Sequence, residues 1–293
     1  MSFADLASGN FARGLESLAS NDDWSDDDRS LSGPFRLAFP KSAGWGEGVL
    51  LASLLKRHAV HNGTCVCVTG SGPLCSILKH DESFEVASDV EDAQFRSPLA
   101  ILSHALIGDL LSFRFVSLSH ERNASSPHSS PKTGLAWQSV DKRGPIASKS
   151  LPCECLLATL SKISNPYIVS VQRRIDARDK SIIETRYSGR CCFVDDEILD
   201  GEDQWKALTT IAALDLMVTI STTTAHLAAA IGIPVVLLAA ERRGPQWFWP
   251  AQAQHGKVFY PSVKPIIGAT ATAQWWAHCL PKAALAAEAL VDR

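Results

Sequence analysis

The sequence predicts an α/β protein made of two doubly wound domains that face each other across a cleft. Predicted strands and helices alternate from residue 34 onward, the pattern of parallel sheets covered by helices. A run rich in Ser and Pro, residues 120–131, interrupts the alternation, which then starts again. We therefore predict an N-terminal domain over 31–130 and a C-terminal domain over 131–293. Residues 1–30 are predicted to form a short helical remnant and an acidic linker.

Composition and charge limit the classes of function. The chain has 293 residues, of which 46% are hydrophobic and 20% charged, which is typical of a globular protein with a sizeable core. The net charge of -3 gives no basic footprint, so nucleic acid is not an expected partner. No apolar run reaches the roughly 18 residues of a membrane span. The first residues lack the pattern of a signal peptide, so a cytoplasmic protein is expected.

The eight cysteines do not form a recognisable metal-binding motif. No C-x-x-C pair occurs, and the spacing in "CVC" and "CEC" differs from that of a zinc knuckle. We interpret the cysteines as small buried residues. No bound metal and no cofactor are expected.

The first half begins with two short helical turns over residues 1–20, followed by the acidic run "NDDWSDDDRS". The strand "PFRLAFP" is then predicted to lead through the glycine-rich turn "KSAGWGEG" into a helix that ends at Gly63. A second strand, "TCVCVTG", and a short helix, "PLCSILKH", follow. A further helix is expected over 97–113. This is a βαβ start of a parallel sheet.

In the second half the predicted strands all carry short β-branched or apolar runs. They are "TGLAWQS", "YIVSVQ", "CCFVDD", "DLMVTI" and "IPVVLLAA". The predicted helices between them are "CECLLATLSKI", "DQWKALTTIAAL" and "TAHLAAAIG". The last of these stops at Gly232, a natural residue for a helix end.

Four hydroxyl side chains and a histidine interrupt the most hydrophobic region of the chain. The stretch "STTTAH", residues 221–226, follows the predicted strand that ends at Ile220 and opens a helix. Ligands of open parallel sheets bind at the carboxyl ends of strands, and a helix N-terminus there suits a phosphate. Threonine hydroxyls and His226 would add donors. The alternative is a helix with an ordinary Ser or Thr N-cap and a buried histidine.

Here the sequence resembles a family. The stretch "LDLMVTISTTTAHLAAAIGIPVVLL" is similar to the signature of the heptosyltransferase-like glycosyltransferases, glycosyltransferase family 9. It is most similar to the branch found behind tetratricopeptide repeats. "QWFWPAQAQHGKVFYPSVKPI" resembles another family segment, and "LASGNFARGLESL" resembles the last helix pair of a tetratricopeptide array.

The resemblance implies a GT-B fold of two Rossmann-like domains. It also implies transfer of a sugar from a nucleotide-sugar donor to an acceptor hydroxyl, with inversion and without a required metal. The acceptor, whether glycan, lipid-linked sugar or protein, is not specified. By the same resemblance, Thr222, Thr223 and His226 would bind the donor diphosphate, with Ser221 and Thr224 beside them. Ser221 departs from the Asp or Asn of many members.

The predicted glycine-rich turn contains Gly44, Gly46 and Gly48, where a backbone can approach a ligand closely. The matching family segment reads Gly-x-Gly-Asp, and its carboxylate is the suspected general base. Glu47 falls on that position, one methylene longer than Asp. A base is needed because the acceptor hydroxyl must lose a proton as it attacks. The alternative is a solvated loop carboxylate.

A basic segment follows the first strand of the second half. Its end, "KSLP", resembles a family segment whose cation reaches the donor phosphates, and a departing diphosphate needs such a cation. Lys149 is therefore the predicted phosphate ligand, with Lys142 and Arg143 as alternates. Ser139 and Gln172 end two predicted strands on the same side and are also assigned to donor binding, with Gln138 next to Ser139.

The remaining aromatic clusters are predicted to pack. Trp247, Phe248 and Trp249 are expected in a core rather than stacked on a sugar. The segment "QWWAHCL" is expected to belong to a final helix that crosses back to the first domain. Two other functions stay open at this point. In the first, the chain is a non-catalytic GT-B relative that serves as a binding or scaffold module. In the second, it is a sugar-nucleotide epimerase of similar fold.

Overall fold

The computed structural model describes twelve parts of the chain. They are residues 10, 13–14, 35–37, 45–69, 72–87, 94–96, 117, 130–139, 150–240, 248–255, 259–268 and 273–291. The chain divides into two compact units, one of Met1–Ser119 with Arg242–Pro261 and one of His120–Glu241 with Ser262–Arg293. Each unit contains a parallel β-sheet, which confirms the predicted α/β class. The limits of the two domains stay a prediction.

The first unit opens with alternating strands and helices: β1 (Phe35–Leu37), α1 (Trp45–Asn62), β2 (Val66–Thr69), α2 (Pro73–Leu78), β3 (Phe84–Ala87) and β4 (Gln94–Arg96). Among the described residues, the strands form a four-stranded sheet in the order β3-β2-β1-β4, with every pair parallel. Gly63 follows α1 with a φ of 62°, as expected for a glycine that ends a helix. Strands β1 and β2 and helices α1 and α2 confirm the strands and helices predicted for this part of the chain.

The second unit continues the alternation: β5 (Lys132–Ala136), α3 (Cys153–Thr159), β6 (Tyr167–Ser170), α4 (Ala177–Arg186), β7 (Cys191–Phe193), α5 (Asp196–Asp200), α6 (Gln204–Ala212), β8 (Leu216–Ile220), α7 (Thr223–Ala230) and β9 (Val235–Ala240). After β9 come α8 (Phe248–His255), β10 (Val263–Gly268) and α9 (Ala273–Val291). Helix α8 lies in the segment that groups with the first unit.

The sheet of the second unit has the strand order of a Rossmann fold. Its described strands run β7-β6-β5-β8-β9-β10, all parallel, which is the order 3-2-1-4-5-6 when the strands are counted within the unit. Strands β5 and β8 are therefore neighbours at the point where the order reverses. Their register pairs Ala136 with Thr219. Ligands of such sheets bind outside the carboxyl ends of the two strands at this point.

Burial explains why these segments form strands and helices. Every residue of β8 is buried, and Leu216, Val218 and Ile220 pack in one core with residues of α3 and α9. A strand that is buried on both faces needs an almost continuous apolar run, and in β8 only Thr219 interrupts it. Helix α7 is buried from Ala225 to Ala230, so it covers this sheet with small side chains.

The first unit has its own buried polar contacts. The ammonium of Lys56 in α1 lies 2.7 Å from the carboxylate of Asp81, and both side chains are buried. The guanidinium of Arg57 donates to the carbonyl of Phe259. The side chain of Gln252 accepts from the backbone N–H of Phe259 at 2.9 Å and donates to the carbonyl of Tyr260 at 2.7 Å. The bond from Arg57 joins the segment 248–260 to α1 of the same unit, and the bonds of Gln252 hold the segment together internally.

One sequence-based prediction needs correction. Helix α1 begins at Trp45, so Gly46, Glu47 and Gly48 lie in its first turn and not in a turn before it. Glycine disfavours helices, but the apolar residues that follow are buried on α1 and outweigh this cost. The described part of α9 packs on α3 and on its own sheet, and the crossing of the final helix back to the first domain stays a prediction. The segment Arg242–Pro261 groups with the first unit.

Some helices and strands were not predicted, and two cysteines that were predicted to be buried are exposed. Other predicted features lie outside the described residues. Helices α4, α5 and α8 and strands β3, β4 and β10 were not predicted. Cys153 and Cys279 are buried as expected, whereas Cys65 and Cys192 are exposed. The helical turns over 1–20, of which only residues 10 and 13–14 are described, the acidic linker, and the helix over 97–113 fall outside the description.

Candidate functional site

The candidate site is built at the carboxyl ends of β5 and β8, where the strand order of the second unit reverses. The buried hydroxyl of Thr219 in β8 donates to the carbonyl of Ala136 in β5 at 2.9 Å. It also lies 3.4 Å from the hydroxyl of Thr222. One side chain therefore connects the end of β5 with the start of α7.

The threonine turn, residues 221–224, forms the start of α7. Thr222 is the N-cap, with an extended backbone, and its hydroxyl accepts from the backbone N–H of Ala225 at 3.4 Å. Thr223 and Thr224 are the first helical residues, and all three threonines are half-buried. The first N–H groups of a helix have no acceptor within the helix and carry its positive dipole. The turn can therefore bind an anion with N–H groups and hydroxyls together.

Ser221 and His226 are more deeply placed than the threonines. Ser221 is 9% exposed and His226 is 2% exposed. His226 lies in the first turn and a half of α7, and its backbone N–H donates to the carbonyl of Thr222. Of the residues predicted for phosphate binding on this helix, Thr222, Thr223 and Thr224 present the most surface to a ligand.

The residues after β5 are held by Gln172, which follows β6. The side-chain oxygen of Gln172 accepts from the backbone N–H groups of Trp137 and Gln138, at 2.8 Å each. Its nitrogen donates to the carbonyls of Gln138 at 3.3 Å and Arg173 at 2.7 Å. The amide thus makes four hydrogen bonds with the backbone, its full capacity. These contacts position the residues that follow β5, and the assignment of Gln172 to donor binding stays a prediction.

Ser139 lies at the same edge of the sheet as the threonine turn. Its backbone N–H donates to the hydroxyl of Ser150 at 3.1 Å, and the backbone N–H of Leu151 donates to the carbonyl of Trp137 at 2.9 Å. Lys149, which precedes Ser150, lies outside the described residues, as do Lys142 and Arg143. The structure therefore places the chain on the carboxyl side of Lys149 next to the residues that follow β5.

Glu47 lies in the first unit, in the first turn of α1, and is 7% exposed. A carboxylate in a first helical turn is favoured by the dipole of the helix. Because Glu47 is buried and lies in a helix, it is not the solvated loop carboxylate of the alternative interpretation. Gly44 lies outside the described residues.

Phe248 and Trp249 pack, as predicted, whereas Trp247 lies outside the described residues. Phe248 and Trp249 are buried, with ring centroids 4.9 Å apart in an edge-to-face arrangement. The ring of Trp249 lies 6.1 Å from that of Tyr260. Burial raises the pKa of the Tyr260 phenol strongly, and its hydrogen bond with Ser53 acts in the opposite direction.

Two residues of the candidate site were not predicted. Asp179, in α4, accepts a hydrogen bond from the indole N–H of Trp137 at 2.6 Å. Burial raises the pKa of its carboxyl group, while the bond from Trp137 lowers it. The other is Thr219. A polar residue in an otherwise apolar buried strand was the available signal for Thr219, whereas nothing in the local sequence marks Asp179.

Within the described parts of the chain, no three His, Cys, Asp or Glu side chains come together as they would around a metal ion. None of the helices described has both the length and the apolar character needed to cross a bilayer.

Comparisons with known proteins give structural neighbours only. No protein-family model matches the chain, and no curated protein matches its sequence. E. coli ADP-heptose LPS heptosyltransferase II is 13% identical, with a TM-score of 0.52, and the match covers 88% of this chain and 98% of that one. E. coli heptosyltransferase WaaC with ADP is 14% identical, with a TM-score of 0.46 and coverage of 87% and 100%.

At this identity the likeness to heptosyltransferase II shows the fold alone. The chain has the GT-B fold, with two Rossmann-like units. The prediction of this fold is therefore confirmed.

Proposed function

We propose that this protein is a glycosyltransferase that moves a sugar from a nucleotide-sugar donor to an acceptor hydroxyl, with inversion and without a metal or other cofactor. One observation carries the proposal. The N-terminus of α7, rich in hydroxyls, stands at the carboxyl end of β8 beside β5, where the strand order reverses. That position favours a ligand with a phosphate group.

The donor diphosphate binds at the threonine turn in this proposal. The N–H groups of the first turn of α7 and the hydroxyls of Thr222, Thr223 and Thr224 face the phosphate oxygens. Lys149 supplies a positive charge from the segment that leads into Ser150. Ser139 follows β5 at the same edge of the sheet. Ser221 and His226 complete the donor-binding residues and are more deeply buried than the threonines. Gln172 acts through the backbone that it holds.

The transfer is a single displacement. Glu47 takes the proton of the acceptor hydroxyl as its oxygen forms a bond to the anomeric carbon. The bond from that carbon to the diphosphate oxygen breaks on the opposite face, which inverts the configuration. Negative charge then grows on the departing diphosphate. Lys149 and the threonine turn stabilise that charge, a type of interaction that is usually the largest catalytic contribution.

The wider assignments also belong to this proposal. We place the chain in glycosyltransferase family 9, in the branch associated with tetratricopeptide repeats, as a bacterial protein that acts in the cytoplasm. The likeness in fold to a heptosyltransferase supports the class of reaction. The acceptor is a glycan, a lipid-linked sugar or a protein.

The test measures release of nucleoside diphosphate from ADP-, GDP- and UDP-sugars by the purified protein. The wild type is compared with Glu47→Gln, and Glu82→Gln serves as a control because Glu82 is an exposed carboxylate in the same unit. Loss of a general base lowers the rate by about 10² to 10⁴. We expect that loss for Glu47→Gln alone, with inverted configuration in the product.

The outcomes separate the functions. Binding of a nucleotide without turnover, unchanged by Glu47→Gln, would support the non-catalytic relative. An epimerised nucleotide sugar without transfer would support the epimerase. Absence of both binding and turnover with all three nucleotides would contradict the proposal.

A further inference from the structure

Asp179 is a buried carboxylate that contacts the candidate site from another element. It lies in the first turn of α4, and its side chain is 4% exposed. The same oxygen, Oδ2, accepts from the indole N–H of Trp137 at 2.6 Å and from the side-chain amide of Gln138 at 3.3 Å. Burying a carboxylate is costly unless hydrogen bonds compensate, so these two donors stabilise its position.

The two donors are consecutive residues directly after β5. Their backbone N–H groups are bound by Gln172, and their side chains are bound by Asp179. The carbonyl of Trp137 accepts from the backbone N–H of Leu151. The two residues that precede Ser139 are thereby held through both their backbone and their side chains.

The orientation of Asp179 is itself fixed. Its backbone N–H donates to the carboxylate of Asp176, the N-cap of α4, at 2.8 Å. The position of the carboxylate is therefore determined by the start of α4 and not by the conformation of a long flexible side chain. A charged acceptor makes a hydrogen bond roughly twice as strong as a neutral one.

We propose that Asp179 is a positioning residue for the nucleotide-binding edge, which holds Trp137 and Gln138 so that the backbone around Ser139 meets the donor nucleotide. The inference rests on the proposed function. Asp179 does not touch the donor, and its contribution to affinity passes through the two residues that it binds. Any loosening of these residues raises the cost of ordering the edge when the ligand binds.

The experiment measures Kd for UDP, GDP and ADP by calorimetry in the wild type, Asp179→Leu and Asp179→Asn. Asp179→Leu removes the acceptor and leaves the buried indole N–H unpaired, so we expect Kd to rise about tenfold. Asp179→Asn keeps a neutral acceptor, and we expect a rise of about threefold. Asp203→Ala is the control because Asp203 is the N-cap of α6 in the same unit, where its carboxylate accepts from the backbone N–H of Trp205.

The control separates positioning from general stability. Asp203→Ala should lower the unfolding midpoint and leave Kd unchanged. The indole N–H resonance of Trp137, assigned with Trp137→Phe, should move upfield in Asp179→Asn as the charged acceptor is lost. Asp179→Asn keeps the test decisive if Asp179→Leu does not fold.

Three results would overturn the inference. A shifted indole resonance with an unchanged Kd in Asp179→Asn would show that the contact does not serve binding. An equal loss of affinity in Asp203→Ala would reduce the effect to stability. A wild type that binds none of the three nucleotides would remove the proposed function and this inference with it.

Discussion

Thr219 connects two strands of the candidate site through a single buried hydroxyl. Thr219→Val keeps the volume and removes the hydrogen bonds to Ala136 and Thr222. A buried carbonyl that loses its donor costs about 1–2 kcal/mol, so we expect the free energy of unfolding to fall by that amount in urea titrations.

Thr133→Val is the matched control for this prediction. Thr133 is fully buried in β5, and its hydroxyl has no hydrogen-bond partner among the described residues. Replacing an unpaired buried hydroxyl with a methyl group should leave stability unchanged or raise it. Equal effects of the two variants would show that the bond from Thr219 to Ala136 does not stabilise the fold.

Tyr260 gives a prediction for alkaline pH. Its folded pKa is raised above the unfolded value of 10, chiefly by burial. The stability that the neutral phenol contributes is therefore fully present below pH 10 and is lost as the pH rises beyond it. Above pH 10 the free energy of unfolding should fall more steeply in the wild type than in Tyr260→Phe, by about 1.4 kcal/mol per pH unit. Parallel curves would contradict this.

At the residue scale, the sequence indicated the threonine turn of the candidate site but not Asp179, which holds the residues after β5. The threonine turn was predicted because four hydroxyls interrupt an apolar region at the end of a strand. Gln172 and Asp179 act on Trp137, which lies 35 and 42 residues before them. No local pattern encodes a hydrogen bond over that separation, because it depends on how β6 and α4 pack against β5.

Among the elements, α7 begins and ends at residues with clear capping roles. Its C-terminal end is followed by Gly232, with a φ of 81°, as predicted from the sequence. No atom lies within 4 Å of a Cβ at this position, so a substitution changes only the backbone energy. Gly232→Ala should lower the free energy of unfolding by about 1–2 kcal/mol.

Asparagine tolerates the left-handed region better than alanine does. Gly232→Asn should therefore retain more stability than Gly232→Ala in the same urea titration. If alanine is tolerated as well as glycine, the left-handed end of α7 is not a feature of the protein in solution.

The elements that were missed had weak apolar periodicity. Helix α4 reads "ARDKSIIETR" and has two adjacent isoleucines as its large apolar residues, so its helical period is faint. Its available signal was a cap: Asp176 accepts from the N–H of Asp179 three residues later. The start of α1 was missed for the opposite reason, because Gly46 and Gly48 indicate a turn locally while the buried residues after them favour a helix.

On the scale of the whole molecule, the two units repeat one strand order. The first four strands of each unit are arranged in the sequence 3-2-1-4 when counted within the unit. Alternating strands and helices predict parallel sheets because a parallel connection needs a crossover, usually a helix. The assignment of Arg242–Pro261 to the first unit could not be predicted, since the contact of Phe259 with Arg57 in α1 depends on tertiary packing.

The proposed nucleotide site predicts the outcome of one calorimetric titration. UDP, GDP and ADP are titrated into the wild type, into the double variant Thr223→Val/Thr224→Val, and into Thr209→Val. Thr209 is the control because its exposed hydroxyl in α6 bonds to the carbonyl of Lys206 in its own helix. One nucleotide should bind to the wild type and to the control with the same Kd, and about tenfold or more weakly to the double variant. Binding of equal strength in all three proteins, or binding of no nucleotide to the wild type, would contradict the account.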